Sequence, residues 1–392
     1  MRRYDIDALR SILLCLLIIY HIMCFFYQSS GLLNSVTYEW LKYPLLFLNR
    51  WRIPLLFVIS GMGTFFLISK RNGREFIKER FVRLFIPLMT TVIFITPIMG
   101  YILFLGNRFP LELFLDFLGL EQFSGNYFEF FILYMSIVIK TFPVISLWWS
   151  HLWFVGYLLC FLCMLTPLFY YLRNHPQAWI IRKTKSLAAH KIGLFALAIP
   201  LILYRVFLAP RFFSTNMVFW GDWFNVVNYG TLFFFGFLFM ALKDTLWENV
   251  TKNRLLYLIT AFISFAAALF LWEIVGSFPH KEKVTNTLQA IYTWTMILAL
   301  IGYAATYLNK PSRLLSYANA AVFPIYILHS PVEHILSYYL KDVEMCFVLK
   351  FPMMVIGVFG ISWLIYELGI RRYAWVRPLF GVKKKAELTS NK

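Results

Sequence analysis

Hydrophobic residues run in long, continuous stretches along the whole chain, separated by short polar segments. The stretches do not alternate with polar residues at every second position, and a helix needs about 20 apolar residues to cross a bilayer. Because every backbone group must be paired inside the bilayer, continuous stretches of this kind predict helices. Ten spans are predicted, at 9–27, 43–69, 84–105, 147–171, 192–209, 226–242, 255–275, 287–308, 318–340 and 346–370.

The stretch 106–146 departs from this pattern. Its apolar core, from Phe131 to Ile139, is too short to cross a bilayer, and four acidic residues precede it. We therefore predict a loop that contains an interfacial or re-entrant helix. A crossing there would give eleven spans and place the two termini on opposite sides of the membrane.

Composition supports a membrane protein, since 60% of residues are hydrophobic and 14% are charged, against about 25% charged in soluble domains. Most basic residues fall in cytoplasmic segments if both termini are inside. The predicted fold class is all-α, a polytopic membrane helix bundle of about ten transmembrane helices, N-in and C-in. We expect one transmembrane domain over 1–375 and a basic cytoplasmic tail over 376–392, with an uncleaved first helix because no small-residue cleavage site follows it.

The net charge of +18 is explained by juxtamembrane basic residues, so no nucleic acid partner is expected. Attraction to anionic membrane lipid follows from the same charge. Cys160 and Cys163 form a C-x-x-C pair, but no second pair accompanies them, so neither a metal site nor a redox site is assigned.

Arg10 and His21 are ionisable residues in the first span, where such groups are costly and suggest function. Their separation of eleven helical steps leaves them about 20° apart around the axis and roughly 16 Å apart along it. Arginine binds phosphate through paired hydrogen bonds, and imidazole accepts a proton from an attacking hydroxyl. A donor with phosphates at one end and a thioester at the other fits this pair. Alternatively, Arg10 only anchors the helix at the cytoplasmic side and His21 packs inside the bundle.

A second basic pair, Arg80 and Arg83, begins the third span and shares one helix face. It either offers that face to a phosphate or only sets the topology. In the second span Ser60 precedes Gly61; small residues here favour close helix approach, and Ser60 can also bond a ligand.

Two further histidines occur in polar or proline-containing segments. His151 and Trp153 open the fourth span at its predicted outer end, and Tyr326 and His329 precede Pro331 within the ninth. Since a proline leaves backbone groups to be satisfied by neighbours or water, a polar cavity is expected in the ninth span. Either histidine can instead be structural.

Five motifs in order, Arg10-x10-His21, Phe57-x-x-Ser60-Gly61, Arg80-x-x-Arg83, His151-Leu-Trp-Phe154 and Tyr326-x-x-His329, resemble acyltransferase family 3, the bacterial membrane enzymes that O-acylate cell-surface carbohydrates. The resemblance covers nearly the whole chain. Within the family the sequence is most similar to the glucan biosynthesis branch that adds succinyl groups to periplasmic glucans. Ser330 stands after His329 where that branch often has a second histidine.

The resemblance implies an acyltransferase of the bacterial cytoplasmic (inner) membrane that uses acyl-CoA as donor substrate and a glycan hydroxyl as acceptor, with no permanently bound cofactor. It implies catalytic roles for His21 as general base and for His329. Donor binding would fall to Arg10, Arg80, Arg83 and Ser60, and substrate binding to His151, Trp153 and Tyr326. The acyl group, acetyl or succinyl, and the glycan stay open.

Two other functions remain possible on the sequence. Intramembrane Arg and His also mark transport routes, so a flippase for a polysaccharide intermediate is one alternative, although no two-fold internal repeat is visible. A membrane N-acetyltransferase acting on an amino sugar is the other.

Overall fold

The computed structural model describes residues 3–27, 34–107, 123–141, 149–212, 219, 221–242, 244–273 and 275–382. The structure is 82% helical, and no strand occurs in these residues. The prediction of an all-α fold is therefore confirmed.

Fifteen helices are labelled in the described ranges. They are α1 Tyr4–Phe25, α2 Lys42–Asn49, α3 Arg52–Ile68, α4 Gly73–Thr90, α5 Thr96–Leu105, α6 Tyr127–Thr141, α7 Trp153–Asn174, α8 Trp179–Ala189, α9 Ala198–Leu203, α10 Trp223–Ala241, α11 Asp244–Lys252, α12 Arg254–Glu273, α13 Lys281–Tyr307, α14 Arg313–Leu340 and α15 Phe347–Ile365. Single π-helical turns, Thr91–Ile95, Tyr204–Leu208 and Tyr366–Ile370, follow α4, α9 and α15.

Eight helical segments in the described ranges are long and apolar enough to cross a membrane. They are Tyr4–Phe25, Glu39–Ile68, Gly73–Leu105, Ser150–Asn174, Trp223–Ala241, Arg254–Glu273, Lys281–Tyr307 and Phe347–Ile370. Of the other two predicted spans, Gly193–Leu208 is an apolar helix of shorter length. The ninth span, α14, is long enough at 28 residues but carries polar side chains and two prolines. The chain is a multi-pass membrane protein, and its N-in, C-in orientation stays a prediction.

Residues 106–146 contain a helix, α6, of 15 residues, which spans about 22 Å and so falls short of a bilayer core of about 30 Å. Phe130, Tyr134 and Val138 recur at every fourth position and pack against Val92, whose carbonyl accepts a hydrogen bond from the Tyr134 hydroxyl. The predicted helix within this stretch is confirmed. Its interfacial or re-entrant position stays a prediction, and residues 108–122 and 142–148 lie outside the described ranges.

The chain forms two compact units. Unit 1 comprises residues 1–13, 46–79 and 157–319, and unit 2 comprises residues 14–45, 80–156 and 320–392. The helix α1 is continuous and supplies residues to both units. The tail predicted at 376–392 begins with a 3₁₀ turn, Arg377–Phe380, and its residues 383–392 lie outside the described ranges.

In unit 1, α3 and α10 touch backbone to backbone. A Cβ atom on Gly61 would lie 2.0 Å from the Phe233 carbonyl oxygen, and one on Gly236 would lie 1.9 Å from that of Val58. Only glycine permits this approach, which maximises van der Waals contact where lipid offers no hydrophobic driving force. The predicted close approach at Gly61 is confirmed.

Candidate active site

The histidine cluster of unit 2 is organised by the prolines of α14. Pro331 has no backbone N–H, so the Ile327 carbonyl four residues earlier loses its helical partner. The His151 ring supplies the replacement, with Nε2 3.0 Å from that carbonyl oxygen. The proline in the sequence therefore creates the acceptor that positions His151.

The turn that carries His151 is held by its neighbours. Ser150, directly before it, has φ +46°, a left-handed conformation that costs energy for a residue with a side chain. Gly156, one turn into α7, leaves room for the Trp149 ring, which would lie 2.3 Å from a Cβ at that position. The Tyr326 hydroxyl donates to the His151 carbonyl. The turn and α14 are thus joined by two hydrogen bonds, one donated by each of them.

His329 lies at the centre of the cluster. Its side chain is fully buried, and its ring centroid is 5.5 Å from that of His21 and 5.5 Å from that of His151. Its Nδ1 atom is 2.6 Å from the Tyr326 carbonyl oxygen. The structure therefore brings together His21, His151 and the Tyr326/His329 pair, which come from three separate parts of the sequence.

These contacts fix the tautomers of two rings. A carbonyl oxygen only accepts, so the nitrogen that faces it holds the proton of a neutral imidazole. His329 is accordingly protonated at Nδ1 and His151 at Nε2. Within the described residues the opposite nitrogens, His329 Nε2 and His151 Nδ1, are buried and have no hydrogen-bond partner. Each presents a lone pair that can accept a proton.

His21 differs from His329 in accessibility. It lies on α1, is half-buried, and packs edge-on against the Tyr20 ring at 5.8 Å. A half-buried ring can meet a substrate hydroxyl, whereas the His329 ring is fully buried. The pair combines one accessible imidazole with one buried imidazole.

Unit 2 also contains three other residues for which the sequence predicted a binding role. One is close to His151 in the chain, and two lie on α4. Trp153 is half-buried and opens α7, two residues after His151. Arg80 and Arg83 lie one turn apart on α4 and are half-buried. Their roles in binding stay predictions.

Glu333 is a residue of the cluster's helix to which the sequence assigned no role. It lies one turn after His329 on α14, is 4% exposed, and its Oε2 atom is 3.6 Å from Nδ1 of His334. A carboxyl group buried in a membrane helix is costly and marks function. Its four-residue spacing from His329 places both side chains on one face of a helix, and this spacing could have identified Glu333 from the sequence.

Unit 1 contains a cavity of about 550 Å³ around Arg10. Arg3 and Lys70 also line it, together with Asp7 and Gly63. A Cβ on Gly63 would lie 3.6 Å from Nη2 of Arg10. Arg3 forms an ion pair with Asp5, so Arg10 and Lys70 against the Asp7 carboxylate leave the lining with a net positive charge. That charge suits the cavity to an anion.

The sequence predicted only some of the residues that line this cavity. Arg10 lies in its lining, but Ser60 does not; the Ser60 carbonyl accepts the Thr64 hydroxyl one turn later. Ser60 lies one turn before Gly63 on α3, so it occupies another level of the helix. Arg3 comes directly before α1 and is seven residues from Arg10, so helix periodicity places the two on one side. Lys70, which follows α3, joins them only in the tertiary structure.

No group of three or more His, Cys, Asp or Glu side chains in the described ranges is arranged to hold a metal ion. The cysteines of the C-x-x-C pair, Cys160 and Cys163, are both free thiols.

The family model of the acyltransferase domain of acyltransferase family 3 matches residues 3–367. The chain belongs to acyltransferase family 3. This acyltransferase is 22% identical over 387 residues to glucans biosynthesis protein C of Shigella dysenteriae serotype 1 (strain Sd197), a match that covers 94% of this chain and 92% of the relative. The same figures hold for glucans biosynthesis protein C of Escherichia coli (strain K12). No solved structure matches the chain significantly.

The family match confirms the resemblance inferred from the ordered motifs. Together with the eight membrane-length helices in the described ranges, it makes the chain a multi-pass membrane acyltransferase. The histidine cluster and the Arg10 cavity are therefore the two places where its chemistry and its binding are to be sought.

Proposed function

We propose that this membrane acyltransferase moves an acyl group, acetyl or succinyl, from cytoplasmic acyl-CoA to a hydroxyl of a periplasmic or cell-surface glycan. The observation that carries the proposal is the pair of adjacent imidazoles, His21 and His329, whose rings lie 5.5 Å apart. One ring is accessible and the other is buried with a lone pair on Nε2.

In the proposed reaction, His21 accepts the proton of the acceptor hydroxyl as its oxygen attacks the thioester carbonyl carbon. The carbon–sulfur bond then breaks, the acyl group becomes an ester of the glycan, and CoA leaves as a thiol after taking up the proton. Positioned general bases accelerate such steps by about 10²–10⁴-fold. Nε2 of His329 is a second proton acceptor beside His21, and His151 and Tyr326 hold the surrounding backbone in place.

The Arg10 cavity is proposed to bind the phosphate-rich end of acyl-CoA. Arg10 and Lys70 can form charge-assisted hydrogen bonds with phosphate oxygens, and Arg80 and Arg83 on α4 are proposed to contribute to the same donor. Because α1 is one continuous helix, Arg10 and His21 keep the separation of roughly 16 Å along its axis. A CoA thioester is long enough to reach from phosphates to acyl carbon over that distance.

The acceptor is proposed from the relatives, which are named for glucan biosynthesis. With an N-in first helix, Arg10 would face the cytoplasm, where acyl-CoA is made, and His21 would lie toward the periplasm. The proposed location is the bacterial cytoplasmic membrane.

The test is acyl transfer by the purified full-length protein from radiolabelled acetyl-CoA and succinyl-CoA to a periplasmic glucan. We expect labelled glucan that loses its label in mild base, as an ester does and an amide does not. A base-stable product would indicate an amino-sugar acceptor instead. No transfer or thioester hydrolysis with any donor would contradict the proposal and favour a transporter.

A further inference from the structure

A second set of cavities lies in unit 1 near the amino-terminal ends of α3 and α13. The inner cavity has a volume of about 260 Å³. Arg50, Arg205, Asn225, Asn228 and Tyr229 supply its polar lining, and none of its twelve lining residues is acidic. The cavity is therefore rich in hydrogen-bond donors and positively charged.

The helix α13 contacts both arginines, Arg205 through its side chain and Arg50 through its backbone. Nε and Nη2 of Arg205 donate to Oε1 of Gln289 at 3.1 and 2.6 Å, and the Arg50 carbonyl accepts the Thr293 hydroxyl at 3.2 Å. Gln289 and Thr293 are one turn apart, so the Arg205 side chain and the Arg50 backbone contact neighbouring turns of α13. A neutral amide positions the Arg205 guanidinium but leaves its positive charge uncompensated.

Arg205 also lies on an unusual piece of backbone, the π-helical turn Tyr204–Leu208. Such turns insert an extra residue into a helix and are frequent at functional sites. The described residues contain no carboxylate that forms an ion pair with Arg205. A cation placed in an apolar span without a carboxylate is costly unless an anion joins it.

A larger outer cavity, of about 850 Å³, shares Arg50 and Arg205 with the inner one. Lys281 and Lys283 add positive charge to its wall, and Glu282 is its one acidic lining residue. We call the two connected volumes the arginine cavity. Its excess of cations therefore extends from the two arginines into the larger volume.

An apolar slot meets the arginine cavity at Arg50 and Gln289. Its walls come from α2 and α12, at Leu46, Phe265, Leu269 and Trp272, and from α13. The adjacent surface of α12 exposes large apolar side chains, including Ile263 at 64%. In a membrane span such a surface faces lipid. The slot thus joins lipid-facing hydrophobic surface to a pair of arginines.

We propose that the arginine cavity binds the phosphate of an anionic membrane amphiphile. The first part of its hydrocarbon chain enters the apolar slot, whose volume is about 50 Å³, and the rest lies along the lipid-facing surface of α12. Arginine suits this role because its planar guanidinium makes paired hydrogen bonds with phosphate oxygens, and burial of the chain adds hydrophobic stabilisation. A phospholipid head group and a polyprenyl phosphate share this chemistry. The site uses none of the residues assigned to acyl transfer, so it stands or falls independently of the proposed reaction.

The test is lipid binding by the full-length protein in detergent, followed by native mass spectrometry. Four probes are titrated: phosphatidylglycerol, undecaprenyl phosphate, diacylglycerol without phosphate, and glycerol 3-phosphate without chains. We expect a lipid phosphate to bind at least about tenfold more tightly than diacylglycerol or glycerol 3-phosphate. The tighter of the two lipid phosphates identifies the source. Equal binding of diacylglycerol would overturn the phosphate site, and equal binding of glycerol 3-phosphate would overturn the role of the slot.

Variants place the binding within the cavity. Arg205→Gln and Arg50→Gln are each expected to weaken lipid phosphate binding about tenfold, and Ala268→Phe, which fills the slot, is expected to weaken it similarly. The matched control is Arg211→Gln, an exposed arginine of the same unit that donates to the Phe207 carbonyl and lies outside both cavities. Circular dichroism verifies that each variant is folded, and the three variants test the site separately. Unchanged binding in all folded variants would overturn the proposal.

Discussion

The histidine cluster of unit 2 and the cationic cavities of unit 1 differ in how their polar side chains are held. In the cluster, backbone carbonyls orient imidazole rings at hydrogen-bond distance. Around Arg10, the side chains instead line an open volume of about 550 Å³. A proton transfer needs fixed donor and acceptor positions, whereas binding of a phosphate-bearing molecule needs charge and room. In the proposed mechanism, the histidine cluster of unit 2 carries the reaction, and the Arg10 cavity of unit 1 contributes to binding of the donor.

Polar side chains on membrane helices can thus be held by their own helix or by a neighbouring one, with different consequences for their proton and their charge. His329 is held by a carbonyl of its own helix, three residues earlier. Arg205 is held across helices by an amide of α13. The first arrangement sets which nitrogen carries the proton, and the second leaves a positive charge for a ligand.

The strongest test of this division is His21→Gln. We expect kcat for acyl transfer to fall by about 10²–10⁴-fold, because glutamine cannot accept the hydroxyl proton, while acyl-CoA binding is retained. Steady-state transfer and equilibrium acyl-CoA binding measure the two effects. The control is His175→Gln, an exposed histidine directly after α7 that contacts the Tyr171 carbonyl. A loss of acyl-CoA binding that matches the loss of kcat would contradict the separation of reaction and binding.

Arg10→Gln is expected to show the converse pattern. Removal of one guanidinium from the cationic cavity should raise KM for acyl-CoA by about 10–100-fold, since hydrogen bonds to charged groups contribute about 1.5–3 kcal/mol. The value of kcat at saturating donor is expected to change little. Arg182→Gln, on the exposed face of α8, is the matched control. A fall in kcat without a rise in KM would assign Arg10 to the reaction rather than to binding.

Gly61→Ala probes packing in unit 1 without touching the cavity around Arg10. The added Cβ would overlap the Phe233 carbonyl oxygen, so we expect a destabilisation of about 1–3 kcal/mol, seen as a lower Tm in detergent. Gly360→Ala on α15 is the control, because nothing lies within 4 Å of its Cβ position. Equal Tm values for the two variants would show that α3 and α10 are not in backbone contact.

Tyr326→Phe should produce the smallest change. It removes the hydroxyl that donates to the His151 carbonyl, with an expected cost of about 1 kcal/mol in stability and a loss of a few-fold in kcat. Thermal unfolding and acyl transfer are measured together. Tyr339→Phe, a tyrosine of the same helix that is 70% exposed, is expected to change neither. A loss as large as that of His21→Gln would give the Tyr326 hydroxyl a direct part in the reaction.

The hydrophobic pattern by itself determined the helical membrane fold, because apolar length and backbone pairing leave a membrane segment few alternatives. The pattern was least decisive for α14, whose polar residues and prolines lower its apolar character while serving the histidine cluster. It also indicated correctly that 106–146 contains a helix, since Phe130, Tyr134 and Val138 share one face.

Ordered motifs in the sequence determined the family, and helix periodicity placed Arg10 and His21 on one face of α1. Only the tertiary structure decided what each residue meets. It placed His329 between His21 and His151, supplied His151 to the carbonyl released by Pro331, and joined Arg3 and Lys70 to Arg10. Apart from Arg3, which is seven residues from Arg10, these residues are far apart in sequence, so their contacts depend on helix packing, which local periodicity does not encode.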